Sequence, residues 1–376
     1  MKIEGALVYN TFSHSFDKKT VSFDKGVFIA SPCSGEAIDA DGLYMVPGFI
    51  DIHTHGGNNI DVNHVTKESF PSLSAFYAEH GVTSFLASVM TDREETTLSL
   101  LRVLGLETGK NSYGAELLGI HLEGPFISCD YKGAMPEELL RKPDAALLEK
   151  YCKEAGDHVR YLTLAPELEG SVELIREFKS KFPIAIGHSA AEYDTAMDAI
   201  KAGAEACTHT FNAMKLFHMH RPAISGAVLE SDVYAEAICD GFHLHPATVR
   251  LLLKTKGYDR VVGISDSIMA AGLPDGHYQL GVNEVFVKDG DAKLSNGVRA
   301  GSTLTLDRAL RNLVAFTGEK VEKVLPLLTE NPAKLIRVFD RKGSIEVGKD
   351  ADFVLLDKDL NIVSVFVGGR ETYRRK

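Results

Sequence analysis

Two histidines one residue apart, His53 and His55, close the apolar run PGFIDIHTHGG. In an extended strand alternate side chains share a face, so both imidazoles converge on one point at the strand's C-terminal end, a geometry that suits a metal ion. Taken alone, a His-x-His pair reads equally well as two incidental polar residues at a strand exit. Other apolar runs, however, also end in donors: Glu123 in IHLEGPF, His188 in AIGHSA, His209 in THTFNAM and Asp266 in GISDS. Nitrogen and carboxylate donors without thiolate suit a divalent zinc, iron, cobalt or manganese ion. An open coordination position then makes bound water acidic enough to attack near neutral pH. Such a site hydrolyses or deaminates. Asp266 is placed to take the water's proton and pass it to a leaving group. The bland alternative is a carboxylate capping a helix after Ser265-Asp266-Ser267.

The remaining histidines sort by position. His218 and His220 in KLFHMHRPA, and His243 and His245 in DGFHLHP, fall in loops at the same end of their strands. With Arg221 they could form a cationic pocket for an anionic substrate group, against the alternative of ordinary surface residues. His14, His64, His80, His158 and His277 carry no such pattern. Cys129 follows the third run without a basic partner and reads as a passive thiol. GLETGKNS lacks a residue between its glycines and has Asn111 where a phosphate loop needs Ser or Thr, and there is no Gly-x-Ser-x-Gly elbow.

The elements that must position these groups form a repeating strand-then-helix pattern. Eight runs carry it: YMVPGFIDIHTH, TSFLASVM, LLGIHLEG, VRYLTLAPE, FPIAIGHS, ACTHTFNA, YAEAICDG and RVVGISDS. Eight such units predict a (β/α)8 TIM-type barrel, whose catalytic groups sit at the C-terminal strand ends. A doubly wound sheet is the weaker reading, because no Gly-rich phosphate loop follows the first strand. Residues 1–44 read as small strands joined by turns, and SIEVGKDADFVLLDKDLNIVSVFVGG as a strand-rich ending. Both termini are therefore expected to pair into one small β domain, a β-sandwich of residues 1–46 and 345–376 beside a barrel of residues 47–344. Gly272–Gly301 alternates like a hairpin excursion able to cover the barrel mouth, and Asn331-Pro332 reads as a turn between helical stretches.

Composition narrows the function class. The 376 residues are 44% hydrophobic and 25% charged, which excludes a disordered or fibrous chain. The net charge of −11, without a basic run before the terminal Tyr373-Arg374-Arg375-Lys376, counts against nucleic-acid binding. Five cysteines, Cys33, Cys129, Cys152, Cys207 and Cys239, include no Cys-x-x-Cys pair and suggest a reducing compartment. With no signal-peptide pattern and no long apolar stretch, a cytoplasmic protein without membrane association is expected.

Taken together, VPGFIDIHTHG, GIHLEGPF, GHS, THTFNAM, SDSIMAAGLPDGHYQLG, AGSTLTLDRALRN and GSIEVGKDADFVLLD strongly resemble the N-acetylglucosamine-6-phosphate deacetylases of the amidohydrolase superfamily. The resemblance implies a metal-bearing barrel with a terminal β domain, working as a homodimer on an amino-sugar phosphate. It implies that Glu123, His188 and His209 hold the main ion, and that His53 and His55 add a second bridged by Glu123. One or two divalent ions per subunit therefore fit. Asp266 matches the catalytic acid/base. Asn212, Ala213 and His243 match contacts to the sugar phosphate, and Ala300 with Gly301 a loop over the substrate. The implied products are acetate and an amino-sugar 6-phosphate. Two departures stand out. In the segment Lys132-Gly133-Ala134-Met135, Met135 replaces a sugar-contacting His. In His220-Arg221-Pro222, His220 takes the place of an Arg that reaches the neighbouring subunit's phosphate, with Arg221 displaced by one. The galactosamine epimer, a cyclic-amide hydrolase and a non-catalytic sugar-phosphate-binding protein are the alternatives. Against the cyclic amide, the bridging carboxylate comes from the third strand, and YLTLAP in the fourth offers no Lys to be carboxylated. Intact Asp266 and a complete donor set speak against the non-catalytic protein.

Overall fold

The computed structural model describes residues 1–30 and 35–376, so that Cys33 lies outside the described residues. Eight parallel strands form the central ring: Phe49–Thr54, Val82–Met90, Glu116–Glu123, Val159–Leu164, Ile184–Ile186, Ala206–Cys207, Tyr234–Ile238 and Val261–Ile264. Neighbours in sequence are neighbours in the sheet, as a (β/α)8 barrel of TIM type requires. VTSFLASVM and ELLGIHLE are buried along their whole length, because the barrel core covers one face and helices the other. The helices present matching apolar stripes, such as Leu306, Ala309, Leu310 and Leu313 in Leu306–Thr317. The ring closes just past the first and eighth strands: the Asp266 N–H donates to the His53 carbonyl at 2.9 Å, and the His55 N–H to the Ser267 carbonyl at 2.7 Å.

The first apolar run serves two sheets. Tyr44–Pro47 pairs with Phe353–Leu356, whereas Phe49–Thr54 pairs with the second barrel strand. The chain crosses at Gly48, where a Cβ would lie 2.0 Å from Thr83 Oγ1, so only glycine permits this approach. The terminal strands form a six-stranded and a four-stranded sheet, packed over Ile3, Val8, Phe23, Phe28, Met45, Phe353 and Phe366. Strand structure near the C-terminus begins at Phe353, with turns before it.

A buried ion cluster ties this β-sandwich to the barrel. Lys342, 1% exposed, reaches Glu116 at the start of the third barrel strand at 2.8 Å, Asp350 at 3.0 Å, and also Asp352. Burial would lower the Lys342 pKa, but the three carboxylates outweigh it and raise it. The ammonium fills the space among the acids, so this triad is not a cation site. Replacing Lys342 by Met should destabilise the protein by about 3–5 kcal/mol, because Arg341 still pairs with Glu116 and Asp350 but the buried Asp352 loses its cation. Thermal melting checks this, and an unchanged melting temperature would contradict it.

Two sequence expectations need correction. The excursion is a three-stranded antiparallel sheet, Gly276–Leu280, Asn283–Lys288 and Asp291–Lys293, rather than a simple hairpin. Asn331-Pro332 is not a turn: it lies in the first turn of the helix Glu330–Leu335, where proline's missing N–H costs nothing. The Asn331 amide there donates to the carbonyls of Tyr258 and Val261 at 2.8 and 2.7 Å. No helix among the described residues is long and apolar enough to cross a membrane.

Candidate metal centre and active site

Each donor is placed by the end of a barrel strand. His53 is the penultimate residue of the first strand and His55 follows it, while Glu123 ends the third. His188, His209 and Asp266 each sit two residues beyond strands ending at Ile186, Cys207 and Ile264. At these three positions the backbone is left-handed, with φ of 47°, 26° and 48°. For non-glycine residues this costs about 1–3 kcal/mol each and persists where the surroundings enforce it, commonly at functional sites. No helix follows Asp266 directly, which removes the capping alternative.

Glu123 is the hub. Its Oε1 lies 3.3 Å from His53 Nε2, 3.1 Å from His188 Nε2 and 3.2 Å from His209 Nε2, and its Oε2 lies 3.2 Å from His55 Nε2. Two buried triads result, His53–His55–Glu123 and Glu123–His188–His209, each able to hold a divalent ion. Asp266 Oδ1 completes the cluster, 3.3 Å from His55 Nε2 and 3.6 Å from His53 Nε2.

The donor orientations fit metal ions. Through their other ring nitrogen, His53 meets Glu236 Oε2 at 3.0 Å, His55 the Ser88 carbonyl at 3.0 Å and His188 the Tyr131 carbonyl at 2.8 Å. An Nδ1–H given to an acceptor leaves a lone pair on Nε2. Yet Nε2 of His53 faces Nε2 of His55 at 3.2 Å, and that of His188 faces that of His209 at 3.0 Å. Facing lone pairs repel unless a cation lies among them. Metal–ligand bonds of about 2.0–2.2 Å at tetrahedral angles put donors about 3.3–3.6 Å apart, close to these separations.

The electrostatics agree. Burial disfavours charged imidazoles, but Glu123, Glu236 and Asp266 outweigh it and hold His53 well above the ordinary histidine pKa; Glu123 and Asp266 likewise push His55 up to about 9. Burial would raise the carboxylates, yet the surrounding imidazoles keep Glu123 well below its usual range and Asp266 below its own. The cluster demands positive charge at its centre, as protons or as metal.

The amidohydrolase family model matches residues 44–372. An N-acetylglucosamine-6-phosphate deacetylase from Bacillus subtilis is 39% identical over 88% of this chain and 85% of that protein. The chain belongs to the amidohydrolase family, in its N-acetylglucosamine-6-phosphate deacetylase group. An N-acetylgalactosamine-6-phosphate deacetylase from Escherichia coli is 34% identical over 92% of each chain. Among solved structures, a mutant N-acetyl-D-glucosamine-6-phosphate deacetylase from Mycobacterium smegmatis, in complex with N-acetyl-D-glucosamine-6-phosphate, matches with a TM-score of 0.92 at 29% identity over 99% of each chain.

In this amidohydrolase the cluster lies at the base of a cavity of about 550 Å³. Ala134, Met135, Asn212, Ala213, His243, Ala300 and Gly301 line it with the donors, while His53 is fully buried beneath. His243 is held by Asp240 through Nδ1 at 2.7 Å, which directs Nε2 away from that carboxylate. Leu280 and Asn296–Gly301 make the excursion one wall of the cavity. Met135 is 2% exposed and belongs to a small core with Ile268, Leu280, Val285 and Val287, so an apolar residue there packs the excursion against the barrel. Cys129 lines the cavity too, and a hydrogen bond with Glu137 raises its pKa, consistent with a passive thiol.

Other expected members of a cationic pocket are elsewhere. His220 and Arg221 are exposed and outside the cavity lining, because His218 and Arg221 pair through their backbones and turn the loop to solvent. His245 instead caps the helix Pro246–Lys256, accepting from the Ala247 N–H. The cavity has cations that sequence reasoning did not assign: Lys132, bonded to the Met135 carbonyl at 3.1 Å, and Arg299, forked onto Asp291 at 2.8 and 3.0 Å. Also unassigned were Glu236 and His121. His121 donates or accepts at Ser88 Oγ (2.8 Å) and Thr163 Oγ1 (2.9 Å), and Thr163 continues to Thr208 at 2.7 Å. Burial, with the charge of His53, lowers the His121 pKa well below the ordinary value, so it forms a neutral floor under the donors. An ionisable residue inside an otherwise apolar strand run was the available signal for both.

Proposed function

We propose that this chain hydrolyses the acetamide of N-acetylglucosamine 6-phosphate to acetate and glucosamine 6-phosphate. The observation that carries the reading is the pair of triads sharing Glu123, with the Asp266 carboxylate against them at the base of a sugar-sized cavity. His53, His55, Glu123, His188 and His209 would hold one or two divalent ions, of zinc, iron, cobalt or manganese. Such ions supply Lewis acidity toward the acetamide carbonyl and acidify water. Asp266, an anion in a buried site, accepts the proton of the attacking water. As the C–N bond breaks it returns that proton to the amine nitrogen, so the amino sugar leaves as a neutral amine, and the acetic acid formed with it ionises to acetate, giving its proton to the amine or to solvent.

Asn212, Ala213 and His243, which line the cavity, would meet the sugar phosphate, with Lys132 as a further cation and Ala300 and Gly301 beside the sugar. The exposed loop carrying Phe217, Met219, His220 and Arg221 suits a homodimer in which a second copy covers the apolar residues and receives the arginine. A cytoplasmic location accords with a phosphorylated substrate.

The Escherichia coli relative favours a second reading, the galacto epimer. Acetate release from both epimers, each with and without its 6-phosphate, tests the proposal. The gluco phosphate should have the highest kcat/KM, and removing the phosphate should lower it at least about 100-fold, the scale of a buried charged contact. Faster galacto turnover would install the second reading. Indifference to phosphate would remove the anionic subsite, and no acetate from any of the four would sink the deacetylase reading.

A further inference from the structure

Glu236 lies inside the seventh barrel strand between Ala235 and Ala237, at 0% exposure. A carboxylate so deeply buried must be satisfied by specific partners. Its Oε2 meets His53 Nδ1 at 3.0 Å and accepts from the backbone N–H of His209 at 3.0 Å. Among the described residues the buried Nδ1 of His209 has no hydrogen-bond partner. The two triads are thus treated unequally. Glu236 grips a ring of the His53–His55–Glu123 triad directly, but touches the Glu123–His188–His209 triad only through backbone.

We infer that Glu236 is the positioning residue that lets the His53–His55–Glu123 triad hold its own ion, while the other triad keeps an ion without it. The inference rests on the two-ion reading proposed above. By accepting the Nδ1 proton, the carboxylate fixes the His53 tautomer and ring plane, which leaves the Nε2 lone pair aimed at the triad's centre. His55 and His188 receive the same service from neutral carbonyls; His53 alone receives it from an anion, which strengthens its nitrogen as a donor. A carboxylate with a merely structural role would affect both triads together or neither.

The test uses metal-free wild type with Glu236→Gln, which keeps an oxygen for both N–H groups but removes the charge, and Glu236→Asp, which keeps the charge but withdraws it from His53. Folding is checked by melting of the metal-free proteins, and either variant suffices if the other fails to fold. Cobalt(II) is titrated in, with visible absorption and elemental analysis as readouts. Wild type should bind two ions, and each variant should retain one at wild-type affinity and bind the second about 10- to 100-fold more weakly. Two ions at unchanged affinity in the variants, or equal loss of both, would overturn the inference. A wild type that binds one ion overturns it but leaves the hydrolase reading standing, whereas a wild type that binds none removes the metal reading itself.

Discussion

Replacing Asp266 by Asn should lower kcat about 10²–10⁴-fold, the usual worth of a positioned acid/base, while the bound metal stays at the wild-type level. Asparagine matches aspartate in shape but cannot take or return a proton. The backbone that presents the group is held on both sides, with the Asp266 N–H given to the His53 carbonyl at 2.9 Å and the Asp266 carbonyl accepting from the Ser302 N–H at 2.7 Å. Its left-handed φ of 48° should therefore survive the exchange. Acetate release and elemental analysis on the same preparation separate the possibilities. Unchanged turnover would remove Asp266 from the proton-transfer role. Loss of metal together with turnover would make it a ligand instead.

Replacing Glu123 by Gln should empty both triads and reduce acetate release to background. Glu123 is the carboxylate common to both, and its oxygens lie within 3.3 Å of Nε2 on each of the four imidazoles His53, His55, His188 and His209. A neutral amide can still offer one oxygen, but it leaves the cationic charge of two ions without a bridging anion in a buried site, where an unpaired charge is most costly. The fold itself should persist, because glutamine matches glutamate in size and the barrel is held by a contiguous apolar core. Elemental analysis with a melting curve checks this. One ion kept at wild-type affinity would show that the two subsites do not depend on a common carboxylate.

The groups expected to share a site were legible because a barrel converts one local cue into a global one. A donor at the end of an apolar run says little, but eight parallel strands bring all such ends to one rim. Glu236 and His121 escaped this logic, since they lie within their strands and point into the barrel, where only the assembled neighbours give them partners. Gly48 shows a related limit. YMVPGFIDIHTH has the texture of one strand, and its division between two sheets depends on the approach of Thr83, a contact distant in sequence. The loop carrying His220 and Arg221 was placed at the right end of the barrel, but its direction is set by the backbone pairing of His218 with Arg221, which composition does not encode. At Met135 the departure from the family pattern acquires a reason: the residue packs the excursion that walls the cavity.

Acetate release from N-acetylglucosamine 6-phosphate by chelator-stripped protein, before and after restoring a divalent ion, is the measurement that bears most directly on this enzyme. The restored protein should release one acetate for each free amine formed, and the stripped protein none above background. Equal release by both, or none by either while ions are bound, would contradict metal-dependent deacetylation at the Glu123 cluster.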